Sequence, residues 1–272
     1  MKEKYLEKEN IHQKLFRDKE NDIFIGEHFE VILDENIKDR EQESFTQSYI
    51  ENVRSIENLK ALEIHASDHS SFSDLIINFV DAVQKEFNLP ALYLSSQHFQ
   101  EQELSKLLEN LATYASLRTL NLNDCNIGGD GAIKVAEFIA KNKSLTKIEL
   151  SKNKLTLEGS QAIVKALQTN KMMRVIYLEE CELDKKILFD FSQVFQEDNS
   201  LQFLVLAGNN ASQKGYSTEV TLFCESLHAH TKLQLLNLNN FFMDQANVKD
   251  MAKLVATNQN LISLSPGLNY NG

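Results

Sequence analysis

The sequence predicts an α/β solenoid, a curved stack of strand–turn–helix units with a parallel sheet on the concave face and helices on the convex face. Three observations predict it. Apolar residues return in the same frame about every 28 residues. The first part of each frame sets aliphatic residues at alternate positions, the signature of a strand with one buried face. The second part sets them three and four apart, as on one side of a helix.

The frame is plainest at Leu117, Leu120, Leu122, Cys125 and Ile127. Steps of 28 lead to Leu145, Ile148, Leu150, Asn153 and Leu155, then to Met173, Ile176, Leu178, Cys181 and Leu183, then to Leu201, Leu204, Leu206 and Asn209. A step of 32 reaches Leu233, Leu236, Leu238 and Phe241, and a further 28 reaches Leu261, Leu264, Pro266 and Asn269. Backwards, Leu89, Leu92, Leu94 and Gln97 precede the series, and Leu59, Leu62 and Ile64 precede those. Helical columns follow each strand: Ile76, Phe79, Val80, Val83; Leu104, Leu107, Leu108, Leu111; Ala132, Val135, Ala136, Ile139; Ile163, Val164, Leu167; Leu188, Phe191, Phe195; Val220, Phe223, Cys224, Leu227; and Val248, Met251, Ala252, Val255.

Composition narrows the class of function. The 272 residues carry a formal net charge of −11, which disfavours binding to nucleic acid. No run of about 18 apolar residues marks a membrane span. The charged start, Met1 to Lys14, lacks the apolar segment of a signal peptide. Three cysteines cannot all pair and no C-x-x-C occurs, so a reducing, cytoplasmic compartment is expected.

The pattern L-x-x-L-x-L-x-x-N/C-x-L at this period resembles the leucine-rich repeat, in particular its long-helix, ribonuclease-inhibitor-like subclass. The resemblance runs from Leu59 to Asn269, about seven units and a partial one. Strands pack about 4.8 Å apart and helices about 10 Å, so the stack bends with its strands on the inner side. The resemblance implies that Cys125, Asn153, Cys181, Asn209 and Asn269 turn inward and donate hydrogen bonds to loop carbonyls. A thiol is a weaker donor there than an amide. At two coils apart, about 10 Å by strand spacing, Cys125 and Cys181 are too distant for a disulfide.

The glycine run Gly128–Gly131 lacks the G-x-x-x-x-G-K-[ST] spacing of a phosphate loop and reads as a turn into a helix, with Asp130 as its cap. His65, Asp68 and His69 fall together, as do His228 and His230; a metal site needs three or four converging ligands, and His65 and His69 lie where strand passes into loop, so surface or ladder-filling histidine is the expected reading and a zinc site the lesser alternative. No catalytic residue, cofactor or metal is expected.

Residues 1–58 break the frame and are expected to form an N-terminal cap with a degenerate first unit; a small independent docking domain is the alternative. Tyr5 to Asp18 reads as a helix, Ile23 to Leu33 as a strand pair or a strand with a turn, and Phe45, Tyr49, Ile50, Val53 and Ile56 as a helical stripe. The array occupies 59–272. Its last unit begins at Leu261 and stops without a helix; either Pro266 closes the stack or the natural chain continues. Four extra residues fall in the polar stretch Gly208 to Glu219, a change of loop length or part of a binding face.

Strand residues between the core leucines point to the concave face. Val175, Tyr177, Phe203, Val205 and Leu235 form an apolar, aromatic group there, with Asn237 beside it and Glu149, Glu179 and Glu180 as an acidic border. Apolar groups with charged rims mark protein contact sites. The expected function is therefore a non-enzymatic scaffold that binds a protein partner on this face, with no small-molecule substrate. Two alternatives stay open. Some ribonuclease-inhibitor-like arrays accelerate GTP hydrolysis by Ran, which implies a regulator of a small GTPase. The array is otherwise a targeting module for an enzymatic domain outside this chain. Its lysine- and asparagine-rich composition also resembles effectors that intracellular bacteria deliver into the host cytosol.

Overall fold

The computed structural model describes residues 11–18, 23–33, 50, 51, 53, 59–66, 72–197, 200–209, 218–229, 232–241 and 245–265. The chain divides into two compact units, Met1–Cys125 and Asn126–Gly272.

The first unit opens with β1 (Ile11–Asp18), antiparallel to β2 (Ile23–Leu33). β2 pairs in parallel with β3 (Leu59–Ala66), β3 with β4 (Ala91–Tyr93), and β4 with β5 (Thr119–Asn121). Helices α1 (Ser73–Phe87) and α2 (Glu101–Ala112) follow β3 and β4. Leu62, Ile64, Leu92, Leu94, Leu120 and Leu122 project to the buried side of the sheet, against Ile76, Val80, Leu107 and Leu111 of the helices. At the start of α2, Gln100 and Glu103 form a capping box that satisfies two otherwise unpaired N–H groups.

The second unit repeats the coil five times. Its parallel strands are β6 (Lys147–Glu149), β7 (Val175–Tyr177), β8 (Phe203–Val205), β9 (Leu235–Asn237) and β10 (Ser263–Ser265), paired in that order. The helices are α3 (Gly129–Lys141), α4 (Leu157–Thr169), α5 (Lys186–Gln196), α6 (Thr218–Ala229) and α7 (Gln245–Thr257). Its core joins Ile148, Ile176, Leu204 and Leu236 to Ile139, Ile163, Leu188 and Phe223. Between α5 and α6 the rings of Phe191, Phe195 and Phe223 lie in series, the first pair stacked at 6.1 Å between centroids and the second tilted at 5.8 Å.

Three expectations need correcting. The described part of Tyr5 to Asp18 is strand β1, because pairing with β2 overrides a charged sequence whose Ile11 and Leu15 also fit helical spacing. Ile23 to Leu33 is one continuous strand of 11 residues, paired on both edges. In α7 the core takes Met251 and Leu254, while Val255 is 59% exposed. Ile50 and Val53, from the stripe expected over Phe45–Ile56, are helical and buried. Asp68, His69, His230, Pro266, Asn269 and most of the Gly208–Glu219 insertion lie outside the described residues.

Candidate functional site: the open sheet faces

The chain leaves six strands of the array, β4 to β9, through the same sharp turn. Ser96 and Asp124 in the first unit, and Lys152, Glu180, Gly208 and Asn240 in the second, all have φ between 53° and 72°. Only Gly208 adopts that geometry without a side-chain penalty. A Cβ there would also meet Glu180 Cγ at 2.7 Å, so the glycine leaves room for that carboxylate's stem.

Behind the turn lies a column of inward side chains. Gln97 donates to the carbonyl of Ile64 (3.2 Å), and the Cys125 thiol to that of Leu94 (3.0 Å). In the second unit the Asn153 amide donates to Leu150 (2.8 Å), the Cys181 thiol to Leu150 (3.2 Å), and the Asn209 amide to Leu178 (2.6 Å) and Leu206 (2.8 Å). The asparagines do more than the cysteines. Asn209 Oδ1 also accepts from the backbone N–H groups of Cys181 and Leu183, and Asn153 Oδ1 from that of Ile127. A thiol has no comparable acceptor. Burial pushes the thiols of Cys125, Cys181 and Cys224 up to about 12, so they stay protonated and unreactive at neutral pH.

The glycines are packing residues. A Cβ on Gly129 would meet Thr156 Oγ1 at 2.5 Å, and one on Gly159 would meet Ala132 Cβ at 2.6 Å and the Gly129 carbonyl at 2.9 Å. They let α3 and α4 approach closely at their first turns. Asp130 lies inside the first turn of α3, one residue past its start, and Gly128 occupies the cap position without a side-chain bond. The expected Asp130 cap is therefore corrected: its carboxylate acts on the helix dipole instead.

On the open face of the second unit the strand register lays the candidate residues out as a grid. Lys147, Val175, Phe203 and Leu235 are successive Cα partners, and Glu149, Tyr177, Val205 and Asn237 form the next row. Val175, Tyr177, Phe203, Leu235, Asn237 and Glu149 are half-buried. Val205 is buried, 4% exposed, because its short side chain lies between those of Tyr177 and Asn237. Glu179 and Glu180 follow β7 in its turn, the first half-buried and the second exposed. Lys147 Nζ sits 3.1 Å from Glu149 and 5.1 Å from the centre of the Tyr177 ring, so that ring already faces a cation. Burial, and then the charges of Glu180 and Glu149, raise the Glu179 carboxyl above its ordinary range, against the opposing pull of Lys152.

The same face of the first unit's strands has another chemistry and is partly covered: His28 and Glu30 are buried, Glu63 and His65 half-buried. Glu63 on β3 bridges two imidazoles: His28 of β2 at 3.0 Å and His65 at 3.2 Å. His65 also lies 3.5 Å from Glu30, the Cα partner of Glu63. Tyr93 on β4 stacks on His28, with centroids 6.0 Å apart. Hydrogen bonds from His28 and His65 hold the Glu63 carboxyl down at about 2. Among the described residues no group of three His, Cys, Asp or Glu is arranged to hold a metal ion.

A family model described as "Leucine Rich repeat" matches residues 115–136 and 141–164, the coils that hold Cys125 and Asn153. These two coils are leucine-rich repeats. The chain is 28% identical over 191 residues to "NACHT, LRR and PYD domains-containing protein 12" of Mus musculus, covering 69% of this chain and 18% of that protein. It is 26% identical over 185 residues to "NACHT, LRR and PYD domains-containing protein 5" of Homo sapiens, covering 67% and 15%. It is 30% identical over 138 residues to "Ribonuclease inhibitor" of Mus musculus, covering 50% and 29%. The chain thus spans less than a third of the length of each of these relatives.

The leucine-rich-repeat frame holds a second polar column that sequence reasoning missed. Asn142 Oδ1 accepts from the N–H groups of Ser144 and Leu145, Asn170 Oδ1 from those of Met172 and Met173, and Asn258 Oδ1 from those of Asn260 and Leu261. The amides of Asn170 and Asn258 donate to helix-end carbonyls, the first to Ile139 and Asn142, the second to Leu227. The signal was present, an asparagine three residues before Leu145, Met173 and Leu261.

Proposed function

We propose that this chain is a non-enzymatic docking module that takes a protein partner on the open sheet face of residues 126–272. One observation carries the reading: Val175, Tyr177, Phe203 and Leu235 lie on adjoining strands, half-buried, on the face that the helices do not cover. Short strands at fixed spacing hold these side chains on a rigid backbone, so a partner pays little ordering entropy on this side. Tyrosine and phenylalanine bring large apolar area with few rotatable bonds. The relative named as an inhibitor of ribonuclease supports a protein as the kind of partner. The buried, protonated thiols support a role in which cysteine is structural.

The test is a double substitution, Tyr177→Ala with Phe203→Ala. Both side chains are half-buried, so circular dichroism and melting should change little, while recovery of partners from cytosol, compared by mass spectrometry with the unsubstituted chain, should fall to background. Recovery of the same partners in the same amounts rejects this face.

A further inference from the structure

We infer that the partner offers this face a segment in which Lys or Arg lies close to an apolar side chain. The inference rests on the docking reading above and adds the partner's charge to it. Along each strand of the second unit the grid changes character. The first row runs from Lys147 into three apolar residues, Val175, Phe203 and Leu235. The last positions change from acidic to neutral across the sheet: Glu179 and Glu180 follow β7, Ala207 and Gly208 follow β8, and Asn239 and Asn240 follow β9. Acidic side chains are thus gathered at one corner, next to Tyr177, with Glu149 as the Cα partner of that tyrosine.

The acidity at this corner is local. Residues 126–272 hold 15 Lys and Arg against 15 Asp and Glu, so the unit as a whole is neutral. Within the corner, Lys147 is engaged with Glu149 and the Tyr177 ring. Lys154 lies 3.4 Å from Glu182. Lys152 is the cation that acts on Glu179, and it is outweighed by Glu180 and Glu149 together with burial. A cation brought by a partner relieves that crowding; a carboxylate adds to it. Successive rows lie about 6.6 Å apart along a strand, and strands about 4.8 Å apart. An apolar side chain over Val175 or Phe203 therefore leaves a Lys or Arg a few residues away within reach of Glu179. Lys147 over Tyr177 is an internal instance of the same chemistry.

The test uses three synthetic peptides of about eight residues, long enough to cross the strands: alternating Leu–Lys, alternating Leu–Glu and alternating Ser–Lys. Each is titrated into the full chain and into the variants Glu179→Gln/Glu180→Gln and Tyr177→Ala/Phe203→Ala, with circular dichroism as the control for folding. The inference expects Leu–Lys to bind best, to weaken about tenfold in the glutamine variant, and to weaken further with added salt. Leu–Glu binding as well as Leu–Lys, or Leu–Lys binding unchanged in the glutamine variant, overturns the charge inference and leaves the docking face standing. Leu–Lys binding that ignores the Tyr177/Phe203 variant, equal binding by Ser–Lys, or no binding by any peptide overturns the docking face and this inference with it.

Discussion

In residues 1–125 the sheet face away from the helices carries a partly buried chain of imidazoles and carboxylates, His28–Glu63–His65–Glu30; in residues 126–272 it carries half-buried Val175, Tyr177, Phe203 and Leu235. The strands beneath are of the same kind, with leucine and isoleucine at the buried positions. The charge is divided as unevenly: residues 1–125 hold 13 Lys and Arg against 24 Asp and Glu, so the whole net charge of −11 falls on them. The repeat dictates only the residues that point into the core. The alternate positions are released from packing, and the two units use them differently. The first pairs its polar groups with one another. The second leaves apolar surface bordered by Lys147 and Lys152 and by Glu149, Glu179 and Glu180.

The comparison can be attacked first through the inward column, where the second unit uses Asn153, Cys181 and Asn209 and the first Gln97 and Cys125. Asn209→Ala strands two carbonyls and two N–H groups in the core and should cost about 3–4 kcal/mol. Cys125→Ala loses only thiol contacts and should cost about 1–2 kcal/mol. Chemical denaturation of the two variants checks the order, and equal losses would mean that the column is passive filling. Next in size is Gly159→Ala, which drives a methyl into Ala132 and the Gly129 carbonyl and should destabilise by about 1–3 kcal/mol, read as a lower melting temperature.

Acid separates the two faces by sign. The Glu63 carboxyl is held at about 2, below its ordinary 4.5. The unfolded chain takes up that proton first, so the stability it contributes is complete above about 4.5 and is lost as pH falls from there towards 2. The Glu179 carboxyl is raised, so the folded chain takes up its proton first and acidification relieves that corner. Carboxyl-carbon NMR titration should show Glu179 protonating well before Glu63, and Glu63→Gln should flatten the loss of stability at low pH. The smallest effect is expected at Phe203→Ser: the side chain is half-buried on an uncovered face, so folding stability should change by less than about 1 kcal/mol. A larger loss would mean that the ring packs as core.

Much of this was legible from the sequence because leucine spacing follows from burial. Leu120 with Leu122, and Ile148 with Leu150, could only face inward, and Cys125 and Cys181 fell where sister coils place asparagine. What depended on partners distant in sequence was not legible. The strand at Ile11–Asp18 reads as helical until its pairing with β2 is known, and His28 reaches Glu63 only through the register of β2 on β3. Val205 was read as part of the contact face because it alternates correctly, but the bulk of Tyr177 beside it decides its burial. Asn142, Asn170 and Asn258 were overlooked because their work, closing helix ends, leaves no apolar trace.

The central claim is that the open face of the second unit, and not that of the first, meets the partner. A photo-crosslinking side chain placed at Asn237 in one sample and at Tyr93 in another, irradiated in cytosol, tests it most directly. The account predicts a discrete crosslinked protein from Asn237, abolished by Tyr177→Ala/Phe203→Ala, and none from Tyr93. A discrete product from Tyr93 alone, or one from Asn237 that survives the double substitution, would contradict it.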